Sequence, residues 1–187
     1  MEAFELKAIR QCQEGDLGAF GILYDEYIKK IYDFVYYKTM HKETAEDIVS
    51  LVFTKVLENI KKYDSSKGTF SSWIYRIARN TVIDHYRTQK KEKDIDDVWD
   101  LSGDTDVERD TDNKAELAQV KKYLKTLTSD QRDIIVMRLW QGMSHSEIAE
   151  VLGKNESTVK VAYSRAIRDL RKDVLISLLL LFSLLSK

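Results

Sequence analysis

Not one proline occurs in the 187 residues, and only 7 are glycine. Proline breaks helices and glycine weakens them, so little in this chain stops a helix once apolar residues recur at spacings of three and four. They recur so nearly everywhere, and no segment alternates apolar and polar residues for long enough to make one face of a sheet. The expected class is all-α. A hydrophobic content of 43% supplies cores for one domain or two small ones. Cys12 is the single cysteine, so no internal disulfide can form, which fits a reducing cytoplasm. The opening stretch MEAFELKAIRQCQEGD lacks the apolar run of a signal peptide, so export is not expected.

Three long helices are expected in the first half. One starts near Asp16, a good cap, runs to about Lys38 and buries Phe20, Leu23, Tyr27, Ile31, Phe34 and Val35. The next follows the polar residues 41–44 and buries Ala45, Ile48, Val49, Val52, Val56 and Ile60, leaving Glu46, Asp47, Ser50 and Lys61 outside. Residues 63–69 read as a loop by composition. The third spans about 70–89, with Phe70, Ile74, Ile77, Ala78 and Val82 toward a core; short connections make the three a compact bundle. This helix carries a second stripe, Trp73, Arg76, Asn80, Asp84 and Arg87. Between residues 73 and 93 there are six basic and two acidic residues. Cations suit phosphates, an amide suits a base edge and an aromatic suits an unpaired base. The plainer account places Trp73 in the core and pairs Asp84 with Arg87.

The stretch SHSEIAEVLGKNESTVKVAYSRAIRDLRK, residues 144–172, reads as two short helices joined at Gly153. Ser144 with Glu147 three residues on has capping-box spacing. Ile148, Ala149 and Leu152 form an apolar face, Gly153 can end the helix in the left-handed region, and Asn155 can cap the next. That next helix buries Val159, Tyr163, Ala166 and Leu170. Its other side carries Ser157, Lys160, Ser164, Arg165, Arg168, Arg171 and Lys172. Residues 154–172 hold six basic and two acidic side chains. A tight glycine turn followed by a basic second helix is the helix-turn-helix pattern, which lays its second helix in the major groove. A helical hairpin with a solvated basic face is the competing account. Ahead of it, Thr128 or Ser129 caps a helix rich in apolar residues (Ile134, Ile135, Met137 and Leu139), preceded by helix over 115–127.

Between these halves the composition breaks. Residues 91–113 hold ten acidic and three basic side chains and few apolar ones, as a flexible linker does. Its charge also suits a nucleic-acid mimic that occupies basic surfaces until displaced. At the other end, residues 174–186, VLISLLLLFSLLS, are apolar on every face yet shorter than the roughly 20 residues of a spanning helix. A groove of its own chain or of a second copy, a partner protein's groove, and a membrane surface are the candidate environments.

Taken together, the bundle ending in FSSWIYRIARNTVIDHYR, the acidic linker and the motif-bearing second half resemble a sigma factor of the sigma-70 family, of the small extracytoplasmic-function type with regions 2 and 4 only. The resemblance implies region 2 over 1–90, the acidic linker over 91–113, region 4 over 114–173 and the apolar tail over 174–187. It also implies a subunit that binds core RNA polymerase and directs it to minus 10 and minus 35 elements, commonly under an anti-sigma factor. AEDIVSLVF, residues 45–53, resembles the segment that meets the clamp helices of the largest polymerase subunit, which singles out Asp47 for polar contact and Phe53 for packing. The family's polar pair there is Ser50-Leu51 in this chain. The helix over 73–87 resembles the minus 10 reader, with Arg76, Asn80, Asp84 and Arg87 on it. Asp64 and Lys67 lie in the loop that helps hold a flipped base. Ser157, Thr158, Lys160, Ser164, Arg165 and Arg168 fall on the helix facing the minus 35 duplex, and the family's common Ser-Arg after Thr-Val-Lys is replaced by Val161-Ala162. Residues 127–139 resemble the part that grips the flap of the second-largest subunit.

Catalysis is not expected. His41, His85 and His145 lie far apart without metal-ligand spacing, Cys12 has no motif around it, and no glycine-rich phosphate loop occurs, so neither metal nor cofactor is anticipated. The alternative function is a stand-alone helix-turn-helix regulator of duplex operator DNA.

Overall fold

In the computed structural model, residues 3–89, 123, 124 and 126–171 are described, and the chain divides into two compact units, Met1–Lys93 and Asp94–Lys187. Among the described residues every regular element is helical. The acidic stretch 91–113, most of the helix expected over 115–127, and the apolar tail fall outside them.

The first unit holds α1 (Ala3–Glu14), α2 (Phe20–Thr39), α3 (Lys42–Asn59) and α4 (Phe70–Gln89). The three expected helices are joined by α1, which buries Ala8, Ile9 and Cys12. Two polar anchors fix it. Tyr27 donates its hydroxyl hydrogen to Glu5, and the Gln13 amide donates to the carbonyls of Ile60 and Tyr63 at 3.1 and 2.8 Å. Asp16 does cap, but not α2. Its carboxylate accepts from the backbone N–H of Gly18 at 3.0 Å, two residues on, and this local bond closes a 3₁₀ turn, Leu17–Ala19, so that α2 begins only at Phe20. At the far end Met40 takes a left-handed conformation and His41 caps α3, its ring nitrogen accepting from the N–H of Thr44.

The core lies where α2, α3 and α4 meet. Leu23, Tyr27, Ile31, Phe34 and Val35 face Ala45, Ile48, Val49, Val52, Phe53 and Val56, with Phe70, Ile74, Ala78 and Val82 closing the layer. Tyr27 meets Phe70 and Phe34 meets Tyr75 edge to face, at centroid distances of 5.4 and 5.2 Å. Such pairs contribute roughly 0.5–1.5 kcal/mol each beyond the area they bury. Tyr75 is fully buried, whereas Ile77, expected inside, is half-buried. The reason is that α4 packs on two neighbours, so its buried arc is wider than one stripe and is shifted toward residue 75. Phe20 is likewise half-buried rather than interior.

In the second unit Thr128 forms a capping box with Gln131 at the head of α5 (Ser129–Ile135), which continues through a π-helical turn, Val136–Trp140. Then come α6 (His145–Leu152) and α7 (Glu156–Arg171). The Ser144–Glu147 capping box is present in both directions, at 3.2 and 2.8 Å. Val151 rather than Leu152 completes the buried face of α6, because it follows Ile148 by three residues while Leu152 stands at the rim of the turn. Tyr123 donates its hydroxyl hydrogen to the Ala166 carbonyl at 2.7 Å, tying α7 to the preceding helical residues. Gly153 ends α6 at φ +63, and a Cβ built there meets no atom within 4 Å. Gly153→Ala is therefore expected to cost about 1 kcal/mol through backbone strain alone. A denaturant midpoint reads this directly, and Gly153→Asn should lose less.

Candidate nucleic-acid interfaces

The first candidate surface grows out of the turn before α4. Asp64 accepts from both the backbone N–H and the hydroxyl of Ser66, at 3.0 and 2.7 Å, forming the 3₁₀ turn Ser65–Lys67. These bonds, with Lys67 at 3.6 Å, hold its carboxyl below the usual range. Behind the turn, Tyr63 is buried and donates to the Gly68 carbonyl at 3.1 Å. The rings of Tyr63, Phe70 and Trp73 form a triangle with centroids 5.3–5.5 Å apart. Trp73 is thus half-buried and its ring clamps the loop to the first turn of α4. Asp64 and Lys67 stand exposed on that clamped loop.

From this turn α4 projects Arg76, Asn80, Asp84 and Arg87 along one side, the 3–4–4–3 spacing from Trp73 keeping them on one face. Arg76, Asn80 and Arg87 are exposed and Asp84 is half-buried. Asp84 and Arg87 pair at 3.0 Å, as the plainer account anticipates. The Asn80 carboxamide makes no hydrogen bond to a described residue, so its donor and acceptor both remain available.

Asp47 and Phe53 are not brought to one face of α3. Asp47 is exposed, whereas Phe53 is buried against Tyr24 and Phe20 at 4.7 and 6.4 Å. Six residues apart on a helix is 120° apart, so Phe53 supports the α2–α3 contact rather than lying under Asp47. The residue that does share Asp47's face is Leu51, one turn on and 49% exposed. The signal for it was an apolar side chain outside the core register.

The second surface is the outer side of α7. Ser157, Thr158, Lys160, Ser164, Arg165 and Arg168 are all exposed, and Val159, Ala166 and Leu170 are buried opposite. Lys160 pairs with Glu156 at 2.7 Å and Arg168 with Asp169 at 3.8 Å, while Arg165 has no ion-pair partner among the described residues. These exposed pairs are worth little and exchange readily for phosphates. Lys154 instead reaches back to Asp130 at the head of α5.

His145 sits where α6 meets α7, its ring 5.3 Å from Tyr163 and its Nε2 enclosed without a hydrogen-bond partner among the described residues. Burial first, then the cations Arg138 and Lys160, hold it below the ordinary imidazole value, against an opposing pull from Glu156. Since the unfolded chain protonates first, the second unit should lose stability as pH falls below about 6.5, the unfolded value. His145→Gln is expected to flatten that decline in urea midpoints taken from neutral pH to about pH 5.5.

Among the described residues no group of three or more His, Cys, Asp or Glu side chains is placed to hold a metal ion, and no helix is long and apolar enough to cross a membrane. What the two units have in common is a helix face of cations and hydrogen-bonding side chains. These faces are the two candidate nucleic-acid surfaces of an all-helical protein. Family models for sigma-70 region 2 and sigma-70 region 4 match residues 23–92 and 117–170. SigW of Bacillus subtilis, an extracytoplasmic-function RNA polymerase sigma factor, is 31% identical over 185 residues, covering 93% of this chain and 98% of that one. BldN of Streptomyces coelicolor, of the same type, is 30% identical over 171 residues, covering 89% of this chain and 64% of the longer relative. The solved complex of CnrH with the cytosolic domain of CnrY shares the fold: the TM-score is 0.70 at 23% identity, covering 89% of this chain and 94% of the other. The chain belongs to the sigma-70 family, in its extracytoplasmic-function branch. It is a sigma factor, a DNA-binding subunit that directs RNA polymerase in transcription initiation.

Proposed function

We propose that the chain docks on core RNA polymerase, reads a minus 10 element with its first unit and a minus 35 element with its second, and works in the cytoplasm with no catalytic chemistry of its own. The observation that carries this is the order of two DNA-facing units in one chain, region 2 then region 4. Asp47, with Leu51 beside it, meets the clamp helices of the largest subunit, and Phe53 stiffens the α2–α3 contact behind that face. Residues 127–139 meet the flap of the second-largest subunit.

On the promoter, the loop bearing Asp64 and Lys67 receives a base extruded from the minus 10 strand, an extrusion costing a few kcal/mol that the pocket must offset. Asn80 reads a base edge, with Arg76, Asp84 and Arg87 along the same path. Ser157, Thr158, Lys160, Ser164, Arg165 and Arg168 engage the minus 35 duplex. The acidic stretch 91–113 is the tether and opposes DNA binding by the free chain. Two modest contacts on one polymerase then combine through effective concentration, and each phosphate contact weakens as salt rises. Control by an anti-sigma factor completes the reading. CnrH, alike in fold, was solved bound to another protein's cytosolic domain, which supports it. The apolar tail offers a further contact for self-association, an inhibitor or a membrane surface.

Charge reversal at Asp47 tests the docking. Asp47→Lys should weaken association with purified core polymerase by about ten-fold or more without moving the melting temperature, because the side chain is exposed. Equal binding by the variant would remove Asp47 from the interface.

A further inference from the structure

Val161 lies at the centre of the outward row of α7, where a valine stands in place of the serine of the family's common Ser-Arg pair. Ser157, Val161, Ser164 and Arg168 follow one another at spacings of four, three and four, so they line up along the helix, directly opposite the buried Val159, Ala166 and Leu170. Lys160 and Arg165 flank the row. Val161 is 50% exposed, the only large hydrophobic residue that is exposed among the described residues of the second unit. A valine has no donor or acceptor for a phosphate or a base edge, and half of it stands in water amid hydroxyls and cations. Such a side chain gains only by meeting apolar surface.

A major groove offers little of that on its base edges. Its one apolar group is the C5-methyl of thymine, and the side chains known to read it are small and apolar. The valine is the sixth residue of α7, in the half of a recognition helix that reaches base edges. The neighbouring Ser157 and Ser164 are short enough to let its two methyls approach the groove floor, while Arg165 and Arg168 reach outward to phosphates. We infer that Val161 is a specificity-determining residue of this chain that selects thymine by its methyl group at one position of the minus 35 element. This rests on the sigma-factor reading of α7, and it adds a base preference that the residue types alone did not suggest.

The test uses holoenzyme assembled from the full chain and core polymerase. A promoter library randomised over the minus 35 region is first selected for initiation, and each thymine of the selected site is then replaced, one at a time, by deoxyuridine. The replacement deletes one methyl and leaves every hydrogen bond intact. At one position it should weaken promoter binding about four-fold, the worth of burying one methyl group. Val161→Ser, which removes both methyls and leaves a single hydroxyl, should bring the thymine-to-deoxyuridine ratio at that position close to one while leaving the melting temperature nearly unchanged, since the position is exposed. A site that tolerates deoxyuridine everywhere, or that selects no thymine, overturns this inference and leaves the sigma-factor reading standing. Holoenzyme that selects no promoter at all overturns both.

Discussion

Arg132→Met should unfold the second unit while leaving the first intact. Arg132 is only 4% exposed, and its guanidinium donates to the carbonyls of Leu124 and Leu127, each at 2.8 Å. The Leu124 carbonyl also accepts from the Leu127 N–H at 3.3 Å, whereas the Leu127 carbonyl lies where the helical residues before Thr128 run out. Methionine keeps the aliphatic bulk of the stem and removes every donor. The loss is therefore both charge-assisted hydrogen bonds, with the Leu127 carbonyl deprived of the guanidinium that pairs it while the Leu124 carbonyl keeps its bond from the Leu127 N–H. At roughly 1.5–3 kcal/mol for a hydrogen bond to a charged group, the pair is worth about 3 kcal/mol or more. That is a large share of what a unit of this size has to lose. Amide hydrogen exchange resolved along the chain checks it: residues 126–171 should lose protection and residues 3–89 should keep it. Binding to core polymerase through the first unit should survive, and minus 35 recognition should not.

Asn80→Ala is expected to lower open-complex formation about five-fold or more with no loss of folding stability. The side chain is exposed and makes no hydrogen bond to a described residue, so its removal leaves nothing in the protein unpaired. A carboxamide read against a base edge contributes roughly 1–3 kcal/mol of discrimination, which is about five-fold to a hundred-fold or more. Arg87→Ala should cost less, because Asp84 already neutralises that guanidinium at 3.0 Å. The measurement is the yield of competitor-resistant complexes formed by holoenzyme on a selected promoter, with core binding of each variant measured beside it. If Asn80→Ala initiates as well as the parent chain, α4 does not read the minus 10 strand through this residue.

Much of this architecture was legible because it follows from spacing. The absence of proline and the three- and four-residue period fixed α2, α3, α4 and α7 to within a few residues, and the Ser144–Glu147 box and Gly153 marked the turn between α6 and α7. Ion pairs three or four residues apart, such as Asp84 with Arg87 and Glu156 with Lys160, are likewise written in the chain. What the sequence hid depends on neighbours distant along it. α1 is short and half polar, and its place is not evident until Glu5 and Gln13 find Tyr27, Ile60 and Tyr63. Tyr75 and Arg132 are buried by the way helices cross, and a charged residue at 132 reads as a surface position in any one-dimensional pattern. The pairing of Asp47 with Phe53 came from adjacency in one motif, and helix geometry separates them by a third of a turn while bringing Leu51 beside Asp47.

The central claim is that both units act together only on the polymerase, and run-off transcription tests it most directly. Purified chain added to core polymerase and a library of genomic fragments should yield discrete start sites that disappear when the chain is omitted, with the upstream sequences sharing two spaced elements. A chain that does not bind core polymerase, or that binds it and produces no defined start, would contradict the account.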